Sequence, residues 1–374
     1  MEWVKLGDVA IIHDGKRIPL NNTQRLEKST NPIYPYYGAN GLVDYIDEYI
    51  FDKELPILCI AEDGGNWGFN EKCSYIIEEK CWVNNHAHVI TVNDNYNLNY
   101  INYYLNYSDL NKYITGTTRG KLTQKELKNI SIPNISLEVQ NKIVFELRKV
   151  ENLIQTRQDQ IQALDELVES VFDELSNKNN VRFTALDELI TKKPDRLSNK
   201  NTDPISYFDI SSIDNISHKI IEEKNILNLE DRPSRAKQLI MEDDVIVSTV
   251  RPNLKNIAYF DYKNTYIPVA STGFAVLRAN KSILNPKYLF HIVLTNYFTN
   301  LLISVATGAN YPAVKESDVR NIKVPIIDIE KQNQFAAFVE KIEKQKQILN
   351  DSLKELIDLF DSLMQDAFDG SMTM

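Results

Sequence analysis

The sequence predicts a mixed α+β fold, in which two similar globular α/β units are joined by two long antiparallel coiled-coil helices as a pseudo-two-fold internal repeat. The first observation behind this prediction is an apolar pattern of helical period that runs from Leu137 to Leu175. The second is that the same pattern returns between residues 342 and 367. The third is that neither run contains a glycine or a proline, so each can form one continuous helix.

Both apolar runs alternate steps of three and four residues, which is typical of a coiled-coil seam. In the first run the seam positions are Val150, Ile154, Ile161, Leu164, Val168, Val171 and Leu175. In the second run they are Ile342, Leu349, Leu353, Leu356, Phe360, Leu363 and Ala367. The seams are offset by 192 residues, and each has one basic interruption, Arg157 in the first and Lys346 in the second. At a rise of ~1.5 Å per residue, each helix would be about 60 Å long.

The segments that precede the two helices also match. Residues 129–133 read NISIP and residues 321–325 read NIKVP, and both alternate like a short strand that ends at a proline without a donor. Ser136 and Asp328 then stand where an N-cap is expected, because their side-chain oxygens can accept from free amides of the first helical turn. We infer a duplicated half-molecule, which divides the chain into four segments. These are a globular domain at 1–135, a spacer helix at 136–178, a globular domain at 179–327 and a second spacer helix at 328–370.

Shorter elements are predicted within the globular units. A strand is expected at residues 8–12, and residues 100–113 have the spacing of a helix that packs on one face. Residues 286–303 match that helix and are expected to form one amphipathic helix. A Gly-containing turn follows each of these helices, at residues 115–121 and 307–312.

Composition limits the class of protein. A chain of 374 residues, 43% of them apolar, can fold two or three domains. No run approaches the ~20 apolar residues of a membrane span, and the N-terminal residues lack the apolar core of a signal peptide. The three cysteines suggest no disulfide framework, which favours a reducing compartment. We therefore expect a cytoplasmic protein without membrane contact.

The net charge of −10 opposes nucleic-acid binding when it is taken only as a sum. The charges are, however, segregated, because acidic residues crowd the two long helices while basic residues cluster in loops of the globular units. These basic clusters are either the electrostatic footprint of a nucleic-acid site or ordinary solvated surface, and charge alone leaves both readings open.

A catalytic centre is not expected. Residues 31–34 differ at the third position from the Asn-Pro-Pro-Tyr signature of amino-methyltransferases and follow no Gly-rich strand-turn-helix. Residues 64–68 are Gly-rich but lack the Lys-Ser/Thr continuation of a nucleotide-binding loop. The potential zinc ligands lack the close paired spacing of structural zinc sites, and they are Cys59, Cys73, Cys81, His86 and His88. We predict no catalytic residue, no metal ligand and no cofactor in this chain.

Several local segments, taken together with the duplication, resemble a known family. They are Trp3–Asp8, Tyr36–Gly41, Asn84–His88, Asp244–Pro252 and Ser271–Arg278. With the Ile-x-Ile-Pro strand before a capped Glu-x-Gln helix start, their order is similar to that of the specificity subunit of type I restriction-modification enzymes. The likeness covers essentially the whole chain, although no single motif decides it.

The resemblance implies a fold and a function. In that family each globular unit is a target recognition domain that binds one half of a split double-stranded DNA sequence. The two helices dock two modification (methyltransferase) subunits and fix the gap between the half-sites, and a restriction (endonuclease/translocase) subunit is a further partner. S-adenosylmethionine would then be bound by the modification subunit and not by this chain, which would be a non-catalytic subunit.

Within that interpretation we predict DNA contacts from loop residues of both units. The basic residues expected to face phosphates or base edges are Lys16, Arg17, Arg119, Lys121, Lys192, Lys193, Arg232, Arg235 and Arg251. The amides expected to pair with adenine in the major groove are Asn40, Asn66, Asn84, Asn85, Asn253 and Asn310. Each of these residues can alternatively be a turn former or a solvated charge.

Two alternatives from other classes remain. A coiled-coil scaffold with two protein-interaction lobes and no DNA role would suit the acidic net charge, although the basic loops oppose it. A self-contained DNA methyltransferase would need to bind the methyl donor by itself. The acidity also leads us to expect that tight DNA binding requires the modification subunits to complete a basic channel.

Overall fold

A computed structural model describes residues 2–116, 118–176, 181–191, 194–198, 200–308 and 311–369. The chain forms two compact units. Unit 1 consists of residues 1–159 and 350–374, and unit 2 consists of residues 160–349. The compact units therefore divide the chain within the long helices, whereas the four-segment division by function stays a prediction.

The elements of the first half follow one another in an order that the second half largely repeats. They are β1 (Trp3–Lys5), α1 (Leu6–Val9), β2 (Ala10–Ile12), α2 (Asn22–Glu27), β3 (Tyr34–Gly38), β4 (Gly41–Ile46), β5 (Ile57–Ala61), β6 (Ser74–Ile77), β7 (Trp82–Val83), β8 (Ala87–Val92), α3 (Leu98–Tyr107), α4 (Gln124–Asn129), β9 (Ser131–Pro133) and α5 (Leu137–Ser176). Short 3₁₀ helices add Asp14–Lys16 and Asn111–Tyr113.

The second half has more strands between its first short helix and its most buried strand, β16 (Asp244–Ser248), than the first half has before β5. Its elements are β10 (Arg182–Ala185), α6 (Leu186–Leu189), β11 (Ile205–Phe208), β12 (Ile213–Asp214), β13 (Lys219–Ile220), β14 (Lys224–Ile226), β15 (Ala236–Leu239), β16 (Asp244–Ser248), β17 (Ile257–Tyr259), β18 (Ile267–Ser271), β19 (Phe274–Arg278), α7 (Pro286–Leu294), α8 (Asn296–Val305), α9 (Glu316–Asn321), β20 (Lys323–Ile326) and α10 (Ile329–Phe368). Short 3₁₀ helices add Ile210–Ser212 and Pro252–Leu254.

The globular part of unit 1 is built on a four-stranded antiparallel sheet in the order β2-β8-β5-β6 and a three-stranded sheet in the order β4-β3-β7. All five residues of β5 are buried, and Cys59 in its centre pairs with Val89 of β8. The strand ends at Ala61, and the polar loop that follows it begins with Glu62 and Asp63.

Unit 2 repeats this arrangement with different sheet sizes. A three-stranded sheet has the order β17-β16-β19, and a four-stranded sheet has the order β14-β11-β18-β15. Its central strand β16 is buried at all five positions and is the counterpart of β5. In each unit a terminal pair of strands, β1 with β9 and β10 with β20, lies beside the start of a long helix.

The two long helices, α5 and α10, have 40 residues each. Within unit 2 they are in contact, since the rings of Phe172 and Phe335 lie 5.6 Å apart. Nearby, Lys346 Nζ lies 2.5 Å from a carboxylate oxygen of Asp165. The lysine that interrupts the predicted seam is thus paired with a carboxylate of the facing helix. From the first contact to the second, the residue number falls along α5 and rises along α10, so the two helices run antiparallel here.

A buried glutamine holds the start of each long helix in the same way. Gln140 is completely buried, and its side-chain oxygen accepts from the backbone N–H of Asn97 at 2.8 Å. Its amide nitrogen donates to the carbonyls of Ile135 at 2.9 Å and Asn95 at 3.3 Å. The side-chain oxygen and both N–H groups of the Gln140 amide therefore have hydrogen-bond partners.

The counterpart in unit 2 is Gln332, which is also completely buried. Its oxygen accepts from the N–H of Asn285 at 2.8 Å, and its nitrogen donates to the carbonyls of Ile327 at 2.7 Å and Ile283 at 3.1 Å. The internal repeat thus extends to individual hydrogen bonds of two buried side chains.

Three predicted elements differ from the observed ones. The helix expected at residues 100–113 ends at Tyr107, and a separate short 3₁₀ helix follows at Asn111–Tyr113. The strand expected at residues 8–12 begins only at Ala10, because Leu6–Val9 form one helical turn. The single helix expected at residues 286–303 is broken at Thr295, whose extended backbone ends α7 and whose hydroxyl accepts from Phe298 N at 3.2 Å. The apolar period continues across this N-cap, so the pattern alone concealed the break.

Among the residues that the structure describes, no single helix is long and apolar enough to cross a membrane. Only α7 and α8 together meet the criterion, by length and composition, across a bend of 63°.

Candidate nucleic-acid interface

Two loops meet at one end of the buried strand β5 in unit 1. The first comprises residues 62–66, directly after β5, and the second is the turn that Thr115 and Lys121 close, described here for residues 115, 116 and 118–121. The backbone N–H of Leu122 donates to the carbonyl of Glu62 at 2.8 Å, which joins the two loops. The end residues of the turn bond each other's backbone at 2.8 and 2.9 Å. We call these two segments the unit 1 loop pair.

The same construction stands after the buried strand β16 in unit 2. Residues 249–254 follow the strand, and the turn that Thr307 and Ala313 close lies beside them, described for residues 307, 308 and 311–313. Val314 N donates to the carbonyl of Thr249 at 2.8 Å, and the ends of the turn bond each other at 2.9 Å twice. These segments are the unit 2 loop pair, and these three backbone hydrogen bonds match those of unit 1.

Glycine fixes the shape of both turns. Gly116 has φ +95°, and a Cβ there would lie 2.6 Å from the carbonyl oxygen of Arg119. Gly308 has φ +100°, and a Cβ there would lie 2.9 Å from the carbonyl oxygen of Tyr311. Glycine suits both positions, because residues with a Cβ rarely adopt such a positive φ and a Cβ would lie too close to a backbone oxygen. Arg119 and Tyr311 therefore occupy equivalent positions.

The strand-end loops correspond as well. Asp63 in unit 1 and Val250 in unit 2 each form an antiparallel bridge with the last residue of the adjacent turn. The next residue is Gly64 with φ +66° in unit 1 and Arg251 with φ +49° in unit 2. The backbone of the two loop pairs is thus shared, while the side chains at corresponding positions differ.

Three of the predicted basic residues of unit 1 are held by carboxylates. Arg17 Nη1 and Lys121 Nζ bond the two oxygens of Glu62 at 2.7 and 2.9 Å. Lys16, next to Arg17, forms an ion pair with Glu54. The Arg17 side chain is only 12% exposed, so it ties the loop after β2 to β5, whereas the Lys121 side chain is 49% exposed.

Two further predicted residues meet at the next positions of the same loop. Arg119 donates to the carboxylate of Asp63 at 2.9 Å, and its guanidinium lies against Gly64, 3.2 Å from where a Cβ would stand. Asn40 donates from its side chain to the carbonyl of Gly64 at 3.1 Å. Both side chains remain largely exposed. The structure therefore gathers residues that are distant in sequence around the loop after β5.

The other predicted amides of unit 1 lie on adjoining loops. Asn84 is buried and accepts from the backbone N–H of His86 at 2.8 Å, so its side chain shapes the turn into β8. Asn85 is exposed beside it, and Asn66 is exposed at the end of the loop after β5. Within the described residues the side chains of Asn66 and Asn85 make no hydrogen bond, which leaves their amides open to solvent.

A buried ionic network supports the unit 1 loop pair from below. His88 Nδ1 lies 2.6 Å from an oxygen of Asp14, and the ligand atoms of His88, Asp14 and Glu62 lie within 4.8 Å of one another. Burial acts to raise the pKa of Glu62, but the hydrogen bonds from Arg17 and Lys121 outweigh it and hold that pKa below its ordinary value. Both carboxylates already have cationic partners, so we read this group as an ion-paired network and not as a metal centre.

The predicted residues of unit 2 are less constrained by carboxylates. The guanidinium of Arg251 lies over the ring of Tyr311, 4.4 Å from its centroid. Asn253 is exposed on the 3₁₀ helix that follows. Arg235 is exposed, and its carbonyl accepts from the N–H of Thr272 at 2.9 Å. Within the described residues the Arg235 side chain has no ion pair.

Arg232 is placed differently from the other predicted residues. Its guanidinium donates to the carbonyls of Asn201 and Asp203 at 3.0 and 2.9 Å, which fastens one loop of unit 2 to another. Three predicted residues lie outside the described residues, and they are Lys192, Lys193 and Asn310.

Sequence reasoning missed three side chains of these loop pairs. Tyr311 is 69% exposed, and the guanidinium of Arg251 lies over its ring. The repeat offset of 192 residues could have identified Tyr311, because it makes Tyr311 the counterpart of Arg119. Asp63 and His86 contact each other at 2.9 Å beside Arg119. No spacing in the sequence could have paired them, because Asp63 follows β5 and His86 precedes β8, and only the fold brings these two loops together.

Comparisons with known proteins agree with this architecture. A family model described as type I restriction modification DNA specificity domain matches residues 1–166 and again residues 179–358. A Haemophilus influenzae protein, whose name describes it as a candidate type I restriction enzyme specificity subunit, is 34% identical over 144 residues, 38% of this chain. That match spans 36% of the length of the relative, so the chain matches little more than a third of it.

Longer matches have lower identity. The type I restriction enzyme MjaVIII specificity subunit of Methanocaldococcus jannaschii is 23% identical over 96% of this chain and 91% of its own length. The crystal structure of a type I restriction-modification S subunit from M. genitalium has a TM-score of 0.57 and 13% identity, and covers 98% of this chain and 96% of that one. At that identity the likeness shows the fold alone.

The resemblance seen in the sequence is confirmed by two family-model matches that together cover most of the chain. The chain belongs to the family of type I restriction-modification DNA specificity proteins.

Proposed function

We propose that this chain is the non-catalytic specificity subunit of a type I restriction-modification complex, and that it binds a bipartite target in double-stranded DNA. Each unit binds one half of the target through its loop pair. The helices α5 and α10 form an antiparallel coiled coil that sets the gap between the half-sites and docks two modification subunits. S-adenosylmethionine is bound by those subunits, and a restriction subunit completes the complex.

The observation that carries this proposal is the duplicated loop pair. The same backbone hydrogen bonds hold both pairs, yet Asp63, Gly64 and Arg119 in unit 1 correspond to Val250, Arg251 and Tyr311 in unit 2. A shared frame with different side chains is suited to the recognition of two different short sequences, because base edges are distinguished by the donors and acceptors that face them.

The charge distribution supports a role for the modification subunits in binding. Glu62 and Asp63 lie among Lys121 and Arg119, so phosphates must compete with these carboxylates for the same cations. The affinity of the lone subunit for duplex DNA is therefore low, and added positive charge from a partner raises it.

Salt-dependent duplex binding tests the proposal. The full chain is purified with its modification subunits, and binding to randomised duplexes is measured between about 50 and 200 mM salt. With six to ten phosphate contacts, the affinity falls by roughly 10³- to 10⁵-fold across that range. A specific sequence is enriched when bound duplexes are selected repeatedly. A non-DNA-binding scaffold with two protein-interaction lobes would instead show neither salt-dependent binding nor enrichment.

A further inference from the structure

We propose that Arg251 contacts a guanine base edge in the half-site bound by unit 2, and that Tyr311 is the platform that positions its guanidinium. This inference rests on the proposed DNA-binding function. It assigns a specificity-determining pair of residues, the Arg251–Tyr311 pair, and predicts that the equivalent position in unit 1 works differently.

The backbone at Arg251 is the first reason. Its φ of +49° lies in the left-handed region, where unit 1 has Gly64. Non-glycine residues hold such a conformation only where the surrounding structure fixes it, and these positions cluster at functional sites. Here the N–H of Arg251 donates to the carbonyl of Pro312 at 2.7 Å, so the strand-end loop and the turn hold the residue from both sides.

The side chain of Arg251 is the second reason. Its guanidinium carbon lies over the ring of Tyr311, 4.4 Å from the centroid, and a guanidinium held over an aromatic face still has N–H groups available for hydrogen bonds. The position where unit 1 has the carboxylate of Asp63 is Val250 in unit 2, which cannot accept from an arginine. Within the described residues, Arg251 has no ion pair.

A fixed backbone and an aromatic platform define where the guanidinium plane lies. That precision is needed for paired hydrogen bonds to O6 and N7 of guanine, whereas a phosphate is bound by a mobile cation equally well. Arg235 is the contrasting case in the same unit, since it is exposed and has no aromatic partner among the described residues. We assign Arg235 to phosphate and Arg251 to base recognition.

Unit 1 presents its arginine from the opposite loop. Arg119 takes the position of Tyr311, lies over Gly64 and already donates to Asp63. Because a carboxylate occupies part of its hydrogen-bonding edge, this arginine is less free to form a bidentate contact with guanine. The two half-sites are therefore expected to differ at the base pair that faces this position.

The test uses the full chain with its modification subunits and a duplex selected from a randomised pool. Each guanine of the half-site bound by unit 2 is replaced in turn by 7-deazaguanine, which lacks the N7 acceptor. With wild-type protein, one such replacement lowers affinity by roughly fivefold, the low end of what a complete bidentate contact contributes, because O6 is kept. Arg251→Gly, which suits the positive φ, weakens binding to the natural duplex and abolishes the difference between the natural and the modified one.

Matched variants distinguish the role of the Tyr311 ring, the base contact of Arg251 and the charge of Arg235. Tyr311→Phe keeps the sensitivity to 7-deazaguanine, while Tyr311→Ala reduces it, because only the latter removes the ring. Arg235→Ala weakens every duplex by the same factor and leaves the sensitivity unchanged. Thermal unfolding of each variant shows whether the fold is kept.

Two results would overturn the assignment. One is that Arg251→Gly weakens all duplexes equally and keeps the 7-deazaguanine effect, as a phosphate contact would. The other is that no guanine of that half-site is sensitive with wild-type protein. If the wild-type complex binds no duplex at all, the proposed function itself is wrong, which is a distinct outcome.

Discussion

Replacing Gln140 with methionine removes the hydrogen bonds that hold the start of α5 against unit 1 while nearly conserving the volume of the side chain. Gln140 is fully buried and makes three hydrogen bonds, to the N–H of Asn97 and to the carbonyls of Ile135 and Asn95. Methionine fits the same space but can satisfy none of these groups.

The cost follows from the groups that are left without partners. A buried donor or acceptor that loses its partner costs about 1–3 kcal/mol, and the longest of the three bonds contributes least. Asn95 is exposed, so its carbonyl can bond water instead, and two groups remain without partners. We therefore expect Gln140→Met to lower the free energy of unfolding by about 2–6 kcal/mol, compared with the 5–15 kcal/mol typical of domains.

Tryptophan fluorescence during urea unfolding is the assay. All three tryptophans of the chain, Trp3, Trp67 and Trp82, lie in unit 1, so their emission follows the unit that contains Gln140. The control is Asn141→Ala, which removes only an exposed hydrogen bond from the side chain of Asn97 and should cost less than about 1 kcal/mol. Gln332→Met is the matched change in unit 2, and far-UV circular dichroism should show a comparable loss there.

The reasoning would be refuted if Gln140→Met unfolds within about 1 kcal/mol of the wild type. It would equally fail if Asn141→Ala cost as much as Gln140→Met, because the buried amide would then not be what fastens the helix.

Three other predictions follow from the structure. His291 packs among Phe172, Phe290 and Phe335, and burial lowers its pKa to about 4, so the unfolded chain binds the proton more readily and the contribution of His291 to stability, complete above about pH 6.5, decreases as the pH falls towards 4. In urea unfolding, His291→Phe should therefore lose about 2 kcal/mol less stability than the wild type between pH 7 and pH 5, and equal losses would contradict this. Asp63→Asn removes the negative charge beside Arg119 and should raise the affinity for duplex DNA about fivefold at low salt, with a smaller effect at high salt. Unchanged affinity would mean that this loop does not face DNA. Inserting one heptad after Asp159 and one after Leu349 lengthens both helices by about 10 Å, so the gap in the methylated target should grow by about three base pairs while both half-sites stay the same. An unchanged gap would exclude the helices as the spacer.

Much of the fold could be predicted because the chain carries the same information twice. The long helices begin at Leu137 and Ile329, each at the residue after an expected N-cap, Ser136 or Asp328. The strand before the first helix ends at Pro133 as expected, whereas the strand before the second continues past Pro325 to Ile326. The break at Thr295 could not be predicted, because its apolar neighbours keep the helical period on both sides.

The candidate site was only partly readable from the sequence. Loop position identified Arg119 and Arg251 as residues of interest, but not that the first donates to a carboxylate and the second stacks on a ring. Arg17 shows the limit most clearly, since its bonds to Glu62 and to the carbonyl of Ala87 join segments that are far apart in sequence. Such pairings depend on strand order, which composition and periodicity do not determine.

Mapping N6-methyladenine in DNA exposed to this chain together with its modification subunits tests the central claim most directly. We expect methylation within a split motif, with two short and unlike elements separated by a fixed gap. Arg251→Gly should alter only the element bound by unit 2, and Arg119→Gly only the other. Methylation of one continuous motif, or methylation that does not depend on this chain, would contradict the account.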